Sequence, residues 1–160
     1  MDRHFRIGDL MKRLDRLTAV ERSYVMSKVR NAGTGPELVL RRALWVRGAR
    51  YLTPAGYKRK YKHQLVGRPD IIFPGVKVAV FVDGCFWHGC PLKCKGEPAT
   101  NQDFWRVKIE TNRARDQEVN RRLEELGWLV RRYWEHEVRR VEELDRIVTE
   151  VLDIVAERRA

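Results

Sequence analysis

The stretch Val76-Lys-Val-Ala-Val-Phe-Val82, closed by Asp83, constrains the fold more than any other part of this chain. A strand with one wet face alternates apolar and polar residues; this one is apolar at nearly every position, so both its faces must be covered. It is preceded by Ile71-Ile72-Phe73 and the turn pair Pro74-Gly75, which predicts a β-hairpin with its second arm central in a sheet. The neighbouring sequence must then supply helices for both faces. Two capping boxes meet that need. Thr18-Ala-Val-Glu21 opens a helix to about Asn31, and Thr34-Gly-Pro-Glu37 opens another to about Gly48, with Pro36 in its first turn and Gly48 as left-handed C-cap. Downstream, Asn101 can cap a long helix ending before Gly127. Trp128–Trp134 reads as a further strand. A last amphipathic helix puts Val141, Leu144, Val148, Val151, Leu152 and Val155 on one face. The predicted class is α/β, a mixed central sheet flanked by helices. At 160 residues the chain has the length of one domain.

The segments between these elements are irregular by composition. Residues 53–68 (TPAGYKRKYKHQLVGR) read as a basic loop, and residues 84–100 as a loop holding all three cysteines. No run approaches the ~18 apolar residues of a membrane span, and the charged N-terminus has no signal-peptide core, so an intracellular, cytoplasmic protein is expected. The net charge is +11, and all of the excess is N-terminal: residues 1–70 hold 17 Lys/Arg against 6 Asp/Glu, whereas residues 71–160 hold 16 of each. A one-sided basic excess is the footprint expected of a nucleic-acid partner, with a merely soluble basic protein as the plainer reading.

Four constellations can carry chemistry. Asp70 starts one hairpin strand and Asp83 ends the other, so Asp70 and residues 82–84 should meet at one end of the sheet. A carboxylate beside backbone carbonyls there suits Mg²⁺, although a Pro-Asp pair alone is usually an ordinary turn. Cys85, Cys90 and Cys94 are spaced to converge on one Zn²⁺, which needs a fourth ligand. His88 is nearest in sequence; His136, after the strand ending at Trp134, is a second candidate, and three buried free thiols are the alternative. Phe86, Trp87 and Trp105 are large aromatics that spacing alone assigns to the core, though apolar side chains can also wedge into a base step. Finally, Trp105, Lys108, Asn112 and Asp116 share one face of the long helix, as a DNA contact or as a solvated face.

Taken together, the blocks RSYVMSKVR from Arg22, GTGPELVLRRAL, GRPD, VAVFVDGCFWHGCP, NQDFWRVKIETNRARD and LGWLVRRYWEHEV resemble the very short patch repair endonucleases over roughly residues 18–140. The resemblance implies a fold like that of type II restriction endonucleases, with residues 18–160 as a single endonuclease domain and residues 1–17 as a basic extension. It implies nicking of duplex DNA 5′ of the T in T:G mismatches, by a monomer with catalytic Mg²⁺ and structural Zn²⁺, in the nucleoid of a bacterium or archaeon. Asp70 and the Val82 carbonyl match the Mg²⁺ contacts, His88 the general base, and Glu37 an active-site glutamate. Asp83 stands where the best-known pattern has a histidine, which removes a possible proton donor and adds an acid. Zinc is assigned to Cys85, Cys90, Cys94 and His136. Here the family's best-known second ligand, a histidine, is Cys90, its last, a cysteine, is His136, and the loop before Cys94 is longer. Phe86, Trp87 and Trp105 match intercalating aromatics, with Lys108 and Asn112 on the DNA-contacting face. Two other readings are a nuclease of the same fold with a restriction or defence target, and a non-catalytic zinc DNA-binding module.

Overall fold

The computed structural model describes residues 33–92, 94 and 101–160. The helix expected over residues 18–31 and the extension 1–17 lie outside the described residues. Described elements follow in chain order: α1 (Gly35–Val46), α2 (Pro54–Tyr61), β1 (Ile71–Phe73), β2 (Val78–Asp83), α3 (Gln102–Glu125), β3 (Leu129–Trp134), α4 (Glu135–Val138) and α5 (Val141–Glu157). The three strands form a mixed sheet in the order β1-β2-β3: β1 pairs antiparallel with β2, and β3 runs parallel to β2.

The central position of β2 accounts for its composition. Val78 and Val80 join a core that contains Leu40 and Leu44 of α1, Tyr133 of β3 and Ile147, Val148 and Val151 of α5. Ala79 and Phe81 point the other way, into a second core with Tyr57 of α2, Leu123 of α3 and Trp128. Helices thus cover both faces, as an unbroken apolar strand demands. Among the described residues no helix is long and apolar enough to cross a membrane.

Three sequence expectations are corrected. Residues 53–68 are not all loop. Thr53 caps α2 by accepting the Gly56 N–H at 3.2 Å, Pro54 takes the first helical position, and Tyr57 anchors the turn in the core. Val141 does not belong to the buried face of α5; it is 72% exposed at the first position of the helix, whereas Leu144 packs against the core and Ile147 and Ile154 are buried in it. The hairpin turn spans Pro74–Lys77 rather than two residues, with Lys77 in the left-handed region (φ 51°), so β2 starts at Val78. Gly67 is needed as glycine: its φ is +70° and an added Cβ would lie 2.2 Å from Val119 of α3. Position 67 is where the chain passes beneath α3 on its way to Asp70.

Candidate functional site

The open ends of β1 and β2 lie side by side, and the Val82 N–H donates to Asp70 Oδ2 at 2.8 Å. In a strand the N–H and C=O of one residue project to the same edge, so the Val82 carbonyl also leaves β2 on the Asp70 side. Arg41 of α1 donates through Nε and Nη2 to the Asp70 carbonyl at 3.1 and 2.9 Å. Burial, and next the charge of Glu37, push the Asp70 carboxyl up to about 7, against the opposing Val82 amide and Arg41. A buried carboxyl whose ionisation is opposed by burial and by a neighbouring acid is an environment a cation would relieve.

Glu37 is buried in the first turn of α1. It accepts from the Gly33 N–H at 2.7 Å and from the Thr34 hydroxyl at 2.8 Å, and it lies 3.4 Å from Arg41 Nη2. The expected capping box is not formed: the Thr34 side chain accepts no backbone N–H of the helix, and Glu37 reaches the N–H of Gly33, one residue before the cap. Its carboxylate secures the chain at the start of the helix, and its charge acts on Asp70.

His88 sits on the loop that follows β2. Its Nδ1 donates to Asp116 Oδ2 of α3 at 2.5 Å and lies 4.0 Å from Asp83 Oδ1. Burial alone would pull the imidazole down, but the Asp116 hydrogen bond and then the Asp83 charge outweigh it and hold His88 above its ordinary value. With Nδ1 committed as donor, Nε2 is the nitrogen left to accept a proton. The loop is pinned to α3 along its backbone. Asn112 donates to the Trp87 carbonyl at 2.7 Å, and Arg113 donates to the carbonyls of His88 and Gly89. Gly89 permits this approach: its φ is +65°, and a Cβ there would meet Ile109 at 2.6 Å. The face of α3 formed by Trp105, Asn112 and Asp116 is thus the seat of the His88 loop, while Lys108 on its margin is exposed. Sequence spacing grouped these residues but missed what they pack against.

Cys85, Cys90, Cys94 and His136 converge, with one ligand atom from each within 4.8 Å of the others. His136 Nδ1 lies 3.3, 3.5 and 3.7 Å from the sulfurs of Cys85, Cys90 and Cys94, and Cys94 Sγ is 3.6 Å from Cys90 Sγ. A tetrahedron with about 2.3 Å metal–sulfur and about 2.0 Å metal–nitrogen bonds has edges of roughly 3.5 to 3.8 Å. The donor set and its spans therefore fit one four-coordinate metal ion. Burial, and then the neighbouring Cys94, push the Cys85 thiol up to about 12, so a bound cation is what would make it a thiolate. The structure groups His136, not His88, with the thiols.

The aromatics form a packed set of rings. Phe86 and Trp105 are each 4% exposed with centroids 5.2 Å apart, and Trp87, half-buried, lies 5.0 Å from Phe86 and 6.0 Å from Trp105. Phe104, next to Trp105, is 56% exposed. Asp83 is buried and ion-paired: Arg132 Nη1 of β3 donates to its Oδ1 at 2.7 Å and lies 3.3 Å from Asp116 Oδ1. Arg132 was not among the residues expected from sequence; a charged residue on the inner face of a strand adjoining Asp83 is the signal that could have found it.

Comparison with known proteins adds an independent line. The sequence profile of the family described as DNA mismatch endonuclease Vsr matches residues 14–94. The chain is 44% identical over 126 residues to the type II nicking enzyme V.NmeDIP of Neisseria meningitidis serogroup C, covering 78% of this chain and 80% of that one. It is 42% identical over 132 residues to the type II nicking enzyme V.NaeI of Lentzea aerocolonigenes, covering 82% and 75%. With the DNA mismatch endonuclease Vsr of Escherichia coli it shares 41% identity over 90 residues, 56% of this chain and 58% of the relative. By profile and by identity over most of its length, the chain belongs to the DNA mismatch endonuclease Vsr family.

Proposed function

We propose that this protein is a Mg²⁺-dependent DNA endonuclease that nicks one strand of duplex DNA 5′ of the T in a T:G mismatch. The observation that carries the reading is the 2.5 Å His88–Asp116 hydrogen bond on the loop that directly follows β2, the strand whose Val82 amide donates to Asp70. An oriented base and an acidic cation site supplied from the same end of the central strand support hydrolysis of a phosphodiester. Names of relatives that include both mismatch endonucleases and nicking enzymes support the reaction class.

The Asp70 carboxylate and the Val82 carbonyl would hold Mg²⁺, with Glu37 adding negative charge. Bound there, the ion supplies charge neutralisation at the scissile phosphate and at the departing 3′ oxygen. His88 Nε2 takes a proton from the attacking water, while Asp116 fixes the tautomer and stabilises the imidazolium that forms. The water oxygen bonds to phosphorus as the bond from phosphorus to the 3′ oxygen breaks, leaving a 5′ phosphate and a 3′ oxygen that takes a proton from solvent to become the 3′ hydroxyl. The thiols of Cys85, Cys90 and Cys94 with His136 suit Zn²⁺. A closed four-ligand site has no position for a reacting water and acts as a cross-link. It ties the His88 loop to α4.

Base selectivity falls to the aromatics, since hydrolysis acts on a backbone common to all sequences. Trp87 is the most accessible of the three rings; Phe86 and Trp105 would have to leave their mutual packing to enter a base step. Opening a step costs less at a mismatch, which is one source of selectivity. Lys108, exposed on α3, would contact phosphate. The fold is read as restriction-endonuclease-like, acting as a monomer. The test is strand-resolved cleavage of T:G, T:A and methylated or unmethylated C:G duplexes with Mg²⁺ and with EDTA. Nicking confined to the T strand of T:G is expected. Cleavage of a matched duplex would redirect the reading to a restriction or defence enzyme, and no cleavage under any metal to a binding module.

A further inference from the structure

Asp83, His88 and Asp116 bring a ligand atom each within 4.8 Å of one another, a donor set that would suit a divalent ion. A side chain of the protein already stands there. A single nitrogen of Arg132, Nη1, lies 2.7 Å from Asp83 Oδ1 and 3.3 Å from Asp116 Oδ1. The guanidinium is held from two further directions: its Nε donates to Asn120 Oδ1 at 2.9 Å, and its carbon lies 4.2 Å from the centre of the Phe81 ring. The parallel register pairs Phe81 with Arg132 and Asp83 with Trp134, so the long side chain leaves β3 beside Phe81 and reaches forward to Asp83. Guanidinium cannot lose its proton in a protein, so this charge is permanent.

We propose that Arg132 is a built-in cation and positioning residue. It holds Asp83 and Asp116 as two carboxylates around His88, and takes the place a second divalent ion would otherwise occupy. The proposal also explains the acid at position 83, where the resemblance implied a histidine. The acid has its own counter-charge on the adjacent strand and is not free to bind metal. Its catalytic consequence rests on the reading of His88 as the base; its metal-binding consequence does not.

The experiment compares wild type, Arg132→Gln, Arg132→Lys and the double variant Arg132→Gln/Asp83→Asn as full-length, zinc-loaded chains. Bound Mn²⁺ is counted without DNA by the loss of the free-ion resonance signal, and single-turnover nicking of a T:G duplex is measured beside duplex affinity. Arg132→Gln is expected to bind one more Mn²⁺ per chain than wild type, and the double variant to lose that gain. Nicking by Arg132→Gln is expected to fall on the order of 100-fold with duplex affinity nearly unchanged, the scale of losing a positioned base. Arg132→Lys, which keeps the charge but not the fork, should recover part of the rate and bind no extra ion. Wild-type Mn²⁺ binding by folded Arg132→Gln, or its nicking at wild-type rate, overturns the proposal. If Arg132→Gln does not fold, Asn120→Ala decides, since it releases one end of the guanidinium with its charge intact. Slower nicking supports the positioning role and an unchanged rate overturns it. Failure of wild type to nick T:G would instead sink the function proposed above, and the Mn²⁺ count would still test the built-in cation.

Discussion

Replacing Asp116 by asparagine keeps the shape of the side chain and removes its charge, and the structure says which way the new amide will face. Asp116 Oδ1 lies 3.3 Å from Arg132 Nη1, while Oδ2 accepts from His88 Nδ1 at 2.5 Å. Arg132 has only donors, so in Asp116→Asn the amide oxygen must stay on its side. The amide NH₂ then faces His88 and makes Nδ1 an acceptor. The ring proton moves to Nε2, the atom proposed to take a proton from water. The variant therefore has its base in the wrong tautomer, a defect expected to approach loss of the base itself, about 10²–10⁴ in rate. Asp116→Ala leaves the tautomer free. It forfeits a hydrogen bond to a charged group worth about 1.5–3 kcal/mol, roughly 10- to 150-fold. The predicted order of nicking rates is wild type, then Asp116→Ala, then Asp116→Asn, even though asparagine is the closer isostere. Single-turnover nicking of a labelled T:G duplex at saturating enzyme measures the order, with thermal melting to compare stabilities. A His88→Ala/Asp116→Asn double variant should be no slower than His88→Ala, because Asp116 acts through His88. Asp116→Asn as fast as Asp116→Ala, or additive losses in the double variant, would refute the reasoning.

Asp70→Asn is expected to abolish nicking while melting temperature and duplex affinity stay close to wild type; a near wild-type rate would remove Asp70 from the metal site. His136→Ala should lose zinc and stability, whereas His88→Ala should keep one zinc per chain and lose activity, as metal analysis of the two purified variants will read. Trp87→Ala should lose far more nicking at T:G than binding to ordinary duplex, and a fluorescent base beside the mismatch should brighten less than with wild type. Lys58, Arg59 and Lys60 project from α2 exposed to solvent. Changing all three to Gln should make the plot of log affinity against log salt shallower by up to about 2.7, at ~0.9 per phosphate contact, equally for matched and mismatched duplex. An unchanged slope would place α2 away from DNA.

Features that depend on neighbours along the chain could be read from the residues alone. The apolar run of β2 demanded cover on both faces, and α1 and α5 on one side with α3 on the other supply it. Thr34 and Glu37 marked the start of α1, and Gly127, with φ +79°, marks the end of α3. These signals are periodicity and capping, which act within a few residues. Even α2 had such a signal in Thr53-Pro54, obscured by a Gly- and Lys-rich composition read as loop. Spacing could not choose the partner of the three cysteines, because His136 is 42 to 51 residues away from them. That choice, and Arg132 meeting Asp83 and Asp116 across 49 and 16 positions, follow from the parallel register of β3 on β2 and the seating of α3 on the loop. Register is set by packing between segments distant in the chain, and a shift of one residue would turn Arg132 to the opposite face of the sheet. Local pattern therefore fixed the elements, while the assembled sheet alone selects which of their side chains meet.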